Sequence, residues 1–208
     1  MATGQVTGVE AAGEHRPPQA ARRAEVLAAG TIGGRGTGPT VVDDRKGTDI
    51  VTQAEIIIAP GRQDIIMTRF FDAPPEAVFR GVTDPTLVPR WWSGGRFTTE
   101  VDRLEIRPGG LWRYVVRDPD SAGEFVFRGV CHDVDEPRRL VQTCEMEGMP
   151  SAVQLGVFTF DAVDGGTAYR ETSVFASVEQ RDAWVRPGMA ETMSAGMDLL
   201  AEIAREQG

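Results

Sequence analysis

The sequence predicts an α+β protein with a helix-grip fold, in which a curved antiparallel sheet wraps around a long C-terminal helix. Three observations predict it. Turn signals built on Pro, Gly and Asp recur between residues 97 and 175, two helix starts follow an early strand, and apolar residues recur at three- and four-residue steps over 178–206. An antiparallel sheet with one apolar face must cover that face. The C-terminal helix is the only predicted element long enough to do so.

The first elements are a strand pair followed by two short helices. Residues 54–60 predict a short edge strand that ends at a Pro-Gly turn, and residues 64–71 are rich in strand-forming residues. Residues 72–76 begin a helix, because Pro at an early helical position and an acid in the first turn favour helix initiation. Asp84-Pro85 begins a second short helix that ends near Arg90.

The rest of the sheet lies between the turn signals. Each predicted strand ends at a turn in which Pro fixes φ or Gly permits a positive φ. The predicted strands are 97–106, 111–117, 124–134, 139–146, 152–160 and 167–175. Pro187-Gly188 interrupts the C-terminal helical pattern, which predicts a short helix followed by a longer one from about residue 188.

Residues 1–48 differ in composition from the rest of the 208-residue chain. They contain nine Gly and no aromatic residue, which is typical of a disordered or weakly ordered N-terminal tail. A docking segment is the alternative. Residues 49–208 form the second predicted unit, a single helix-grip domain that carries 16 basic and 26 acidic side chains.

The composition excludes several classes of function. A net charge of −9 argues against a nucleic-acid partner, which needs a clustered basic face. No apolar stretch approaches the about 18 residues of a membrane span. Two Cys and two His do not build a Cys-rich zinc site or a secreted disulfide scaffold, so we expect no metal, no cofactor and a cytoplasmic location. The only Lys is Lys46, in a polar Gly-rich stretch, which argues against Schiff-base catalysis.

An ordered set of short motifs resembles a known family. The string TRFFDAPPEAVF at residues 68–79 looks like the opening motif of the SRPBCC (START / Bet v 1-like) superfamily. More narrowly, the chain resembles proteins similar to the C-terminal domain of the heat-shock protein 90 ATPase activator. Further matches over about 54–206 include Trp91-Trp92, the turn at 107–110 and Phe127-Arg128-Gly129-Val130. The resemblance implies the helix-grip fold, whose members bind lipids, hormones or polyketides, and a few of which are cyclases or other pocket enzymes.

Strand alternation selects candidate cavity residues. On the strand 111–117, Arg113 and Arg117 mark the solvent face, so Trp112 and Tyr114 are expected to point toward the C-terminal helix. The same argument points other aromatic side chains inward, and the helix contributes a Met stripe that could form an adaptable wall. The predicted ligand-binding residues are Trp91, Trp92, Trp112, Tyr114, Phe127, Phe158, Phe160, Tyr169, Glu171, Met189, Met193 and Met197. For Trp91-Trp92 the alternative is that both rings are core anchors.

Glu171 is the candidate for chemistry. It alternates in register with Tyr169 and Phe175, so it is expected to face the apolar side of the sheet. A carboxylate there is costly unless it is paired or protonated. The interpretation is a catalytic or ligand-binding acid, and the alternatives are a buried pair with an Arg or a bulge that turns the side chain outward.

Three other residues carry simpler interpretations. His132 lies next to Cys131, but neighbouring strand residues point to opposite faces, so the two do not form a catalytic pair, and a surface His is expected. If the turn centres near residues 136–137, residue 131 lies opposite residue 142. Cys131 and Cys144 are then diagonal neighbours, too far apart for an unstrained disulfide.

The predicted function is the binding of a hydrophobic small molecule in a cavity between the sheet and the C-terminal helix. Two alternatives stay open. One is a metal-free pocket enzyme of the cyclase or dehydratase kind, acting on a polyketide-like or aromatic substrate with Glu171 as acid or base. The other is a protein-interaction module in contact with a chaperone, and a homodimer is also possible.

Overall fold

The structure is a computed structural model that describes residues 53–121, 123–149 and 153–208. The predicted tail at 1–48 lies outside the described residues, and so does the predicted start of a strand at residue 152. No helix among the described residues combines the length and the apolar character needed to cross a bilayer.

Among the residues described, eight antiparallel strands form one curved sheet, as the sequence predicts. Their spatial order is β1-β2-β8-β7-β6-β5-β4-β3, so the first two strands join the far end of the meander formed by the other six. The strands are β1 Glu55–Ile57, β2 Asp64–Phe71, β3 Thr98–Leu104, β4 Leu111–Arg117, β5 Glu124–Asp135, β6 Arg139–Met146, β7 Gln154–Val163 and β8 Gly166–Phe175.

In the described part of the chain, four helices and one 3-10 turn connect and cover the sheet. The helices are α1 Pro75–Thr83, α2 Val88–Trp91, α3 Val178–Trp184 and α4 Met189–Gln207, and the 3-10 turn is Trp92–Gly95. The Ser177 side chain accepts a hydrogen bond from the Gln180 N–H and so caps α3. Gly188 adopts a φ of 81° between α3 and α4, a conformation that favours glycine.

Helix α4 is packed unequally along its length. From the middle of the helix onward, Met197, Leu200 and Ile203 form a stripe that is buried against the core. In its N-terminal half, Met189 and Met193 remain partly exposed. The helix packs chiefly on α1, α2 and the 3-10 turn, and among the strands it comes close to β2. The N-terminal half of α4 therefore leaves room above the centre of the sheet.

The 3-10 turn and α4 meet through glycines. A Cβ on Gly94, which has a φ of 64°, would lie 2.6 Å from the carbonyl oxygen of Thr192 on α4. A Cβ on Gly196 would lie 2.9 Å from the carbonyl oxygen of Trp91. Side chains at either position would push the backbones apart, so the two glycines set how closely the Trp91-Trp92 segment approaches the helix.

We expect Leu200→Ala to destabilise the fold by about 3 kcal/mol, because removing the buried side chain leaves a cavity at the contact between α4 and α1. The matched control is Leu155→Ala on the outer face of β7, where the side chain is 40% exposed and the expected loss is about 0.5 kcal/mol. Urea unfolding measures both free energies. Equal losses would contradict the packing of α4 described above.

Candidate functional site

A cavity of about 270 Å³ separates the concave face of the sheet from the N-terminal half of α4. Its sheet wall comes from the inward positions of β4 to β8. Its opposite wall comes from the 3-10 turn, α3 and α4. The predicted residues that line it are Trp91, Trp92, Trp112, Tyr114, Phe127, Phe158, Glu171, Met189, Met193 and Met197. Most of this wall is hydrocarbon or aromatic ring.

The strand register explains why these side chains converge. Glu171 on β8 lies between Met67 on β2 and Phe158 on β7. In the next inward row, Ser173 lies beside Gly156, which lies beside Gln142 on β6. Because side chains alternate along every strand, both rows face the helix. Gly156 in the middle of the second row leaves space for the Phe158 ring, since a Cβ there would lie 2.8 Å from that ring.

Trp92 is the centre of an aromatic wall. Its ring centroid lies 5.1 Å from that of Tyr114, 6.3 Å from Trp112 and 6.2 Å from Phe127, all in edge-to-face geometry. The Trp112 indole N–H donates to the Thr143 carbonyl at 3.1 Å. The Trp91 indole N–H donates to the Gly81 carbonyl at 2.9 Å, and its ring is buried, as expected of a core anchor, while still bordering the cavity.

Glu171 faces the cavity without a basic partner. The Tyr169 hydroxyl donates to Oε2 and the Ser173 hydroxyl donates to Oε1, each at 3.1 Å. Among the described residues no Arg, Lys or His forms an ion pair with this carboxyl. Strand β8 also keeps an unbroken register at this position, so no bulge turns the side chain outward. Neither of the alternatives weighed for Glu171 is therefore present in the described chain.

The protein around Glu171 favours its neutral form. Burial raises the pKa of the Glu171 carboxyl above its ordinary value, and the hydrogen bonds from Ser173 and Tyr169 offset only part of this effect. Burial also raises the pKa of the Tyr169 hydroxyl, and it raises the pKa of the Cys144 thiol to about 12. At neutral pH, Cys144 is therefore a protonated thiol in the cavity wall. The ionisation state of Glu171 depends on the groups that surround its carboxyl.

Phe160 and Tyr169 do not line the cavity, contrary to expectation. Phe160 is fully buried, with its ring 5.4 Å from Phe79 on α1 and 5.4 Å from Tyr169. Both side chains point inward as predicted. They lie at the end of the sheet where α1 and the C-terminal half of α4 fill the interior, so they belong to the core.

Several polar wall residues were missed by the sequence analysis. Gln142, Gln154, Ser173 and Arg186 all border the cavity. Alternation with Cys144 and Glu171 could have placed Gln142 and Ser173 on the inner face. Nothing in the sequence pattern points to Arg186, which lies in the link between α3 and α4.

His132 and Cys131 lie outside the cavity wall. His132 is exposed and lies at a β-bulge between Cys131 and Asp133. Cys131 lies opposite Gln142, as the turn predicts, and the free thiols of Cys131 and Cys144 are both buried.

We expect Glu171→Gln to make the fold more stable relative to wild type as pH rises. Below the ordinary Glu pKa of 4.5 the carboxyl is neutral in both folded and unfolded chains. Because its folded pKa is raised, deprotonation at higher pH favours the unfolded wild type, a cost that Gln does not incur. The measurement is the melting temperature of both proteins from about pH 4.5 to about pH 8.

The control for this comparison is Glu202→Gln, at an exposed position on α4. Its melting temperature should follow wild type over the whole pH range. A melting-temperature difference between wild type and E171Q that stays constant with pH would show that folding does not raise the pKa of the Glu171 carboxyl.

The sequence model of the family described as "Activator of Hsp90 ATPase homolog 1-like protein" matches residues 72–205. This range contains every predicted cavity residue. A search of curated proteins finds no match to this chain.

Solved bacterial structures share the fold. A protein from Rhodobacter sphaeroides matches with a TM-score of 0.67 at 24% identity, over 74% of this chain and 99% of that one. A protein from Mycobacterium smegmatis matches with a TM-score of 0.65 at 22% identity, over 72% and 94%. A protein from Arthrobacter aurescens, solved in solution, gives 0.64 at 20% identity, over 73% and 91%. At these identities the likeness shows the fold alone.

Proposed function

Because the chain belongs to the family of activator of Hsp90 ATPase homolog 1-like proteins, whose fold typically binds hydrophobic ligands, we propose that it binds a hydrophobic small molecule in the cavity beneath α4. The observation that carries the proposal is the cavity itself. Its volume of about 270 Å³ is open between the aromatic wall and the Met stripe of α4.

The character of the wall supports this function. Trp92, Trp112, Tyr114, Phe127 and Phe158 offer ring faces and edges to a ligand. Ligand sites are usually apolar with a few polar groups that fix orientation, and they enclose about 300–1,000 Å³ for drug-sized ligands. A volume just below that range fits a small aromatic or aliphatic molecule.

The entrance lies at the link between α3 and α4. Ala183 and Pro187 border the cavity and are also exposed on the surface, so this is where the interior meets solvent. Met189 and Met193 flank the same opening on α4. Unbranched Met side chains adapt to irregular shapes, so these two residues can change rotamer to let a ligand enter.

We expect the uncharged fluorophore N-phenyl-1-naphthylamine to bind saturably to the wild-type protein, with increased emission. Ala183→Trp should weaken binding about tenfold or more, because the indole obstructs the entrance. Ala162→Trp, at an exposed position on β7 away from the cavity, should bind as wild type does. Binding that is absent, or that survives A183W unchanged, would count against the cavity as the binding site.

One observation favours a second candidate function, metal-free acid–base catalysis on a molecule held in the same cavity. The Glu171 carboxyl borders the cavity, burial raises its pKa, and the Tyr169 and Ser173 hydroxyls orient it. Carboxyl groups tuned upward in this way serve as general acids or bases near neutral pH.

The neutral aromatic probe 5-nitrobenzisoxazole tests this candidate, because its ring opens once a base removes one proton. If Glu171 is competent as a base, the wild-type protein should open the ring about 100-fold faster than E171Q, followed by nitrophenolate absorbance. Equal rates in the two proteins would argue for binding without catalysis.

A further inference from the structure

Among the described residues, the cavity wall contains one acidic group, and no basic group is paired with it. Among the described residues of its wall, the side chains with formal charges are Glu171 and Arg186. Arg186 lies in the link at the entrance, and no ion pair or hydrogen bond in the described structure joins it to Glu171. The carboxyl therefore lacks a counter-ion of its own inside an apolar space.

The carboxyl also keeps room for a further donor. An ionised carboxylate has about four acceptor positions. The hydroxyls of Tyr169 and Ser173, both from its own strand, use one position on each oxygen. Glu171 borders both the main cavity and a small side cavity of about 40 Å³, so the remaining positions are within reach of a molecule in the interior.

The aromatic wall suits the same kind of group. Trp and Tyr rings attract cations to their faces, and a carboxylate beside aromatic rings is the arrangement that recognises an ammonium group. Trp92, Trp112 and Tyr114 all border the space that Glu171 faces. The net charge of −9 adds a weaker long-range preference for cations.

We propose that the cavity selects hydrophobic amines, with Glu171 as the counter-ion for the ammonium group and the aromatic wall holding the apolar body. The proposal rests on the proposed binding function and narrows it to one ligand class. An ammonium group would stabilise the ionised form of Glu171 by pairing with it, whereas a neutral ligand of the same shape would not, and a carboxylate ligand would oppose ionisation of Glu171.

The test is a matched series that shares one phenylbutyl body: 4-phenylbutylamine, 4-phenyl-1-butanol and 4-phenylbutyrate. Isothermal titration of the wild-type protein should show the amine binding at least about tenfold more tightly than the alcohol, and the carboxylate most weakly. In E171Q the amine should bind no more tightly than the alcohol. The alcohol should keep its wild-type affinity within about threefold.

The control variant is E202Q, which removes one exposed acid and should keep the full preference for the amine. Loss of the preference in E202Q would point to the overall charge of the protein and overturn the proposal. Equal wild-type affinities for amine and alcohol would also overturn it, whether or not E171Q folds, while leaving the hydrophobic binding function intact. Failure of all three compounds to bind would reject both.

Discussion

The cavity depends on the firm contact between the C-terminal half of α4 and helix α1. Leu200 and Ile203 are fully buried there, and Gly81 on α1 leaves space for the Leu200 side chain, which a Cβ would meet at 2.6 Å. The ion pair between Arg69 on β2 and Asp198 on α4, at 2.6 Å, lies on the same part of the helix. With one end of α4 fixed in this way, its other end can stand off the sheet without collapsing onto it.

The space between the sheet and the N-terminal half of α4 is kept open by rigid aromatic side chains. The Trp92 ring is wedged against Trp112, Tyr114 and Phe127, and Trp112 is anchored by its hydrogen bond to Thr143. Rings that already contact one another edge to face have little freedom to rotate into the void. The glycines at the contact between the 3-10 turn and α4 fix the height of the helix above this wall. The cavity therefore depends both on the position of the α4 backbone and on the packing of the aromatic rings.

Glu171 is costly to the fold. A carboxyl held in an apolar interior destabilises the folded chain whenever it ionises, and the hydroxyls of Tyr169 and Ser173 offset only part of that cost. Residues that are unfavourable for stability concentrate at functional sites. The shared fold of the bacterial relatives does not specify the chemistry of this wall, because the same sheet and helix accept many different inward side chains.

The order of the elements, the antiparallel sheet, the two C-terminal helices and the inward faces of β4, β7 and β8 could all be predicted from the sequence. Turn residues and the spacing of hydrophobic residues are local properties of the chain, so both can be recognised in the sequence. Which inward side chains meet open space follows from tertiary packing. Glu171 and Phe158 border the cavity, whereas Phe160 packs against Phe79 of α1 and Tyr169 packs against Phe160. Whether an inward side chain borders the cavity depends on the distance between the sheet and helix α4 at that point. Side-chain alternation along a strand shows which face a residue is on, but it does not show how far away the covering helix lies.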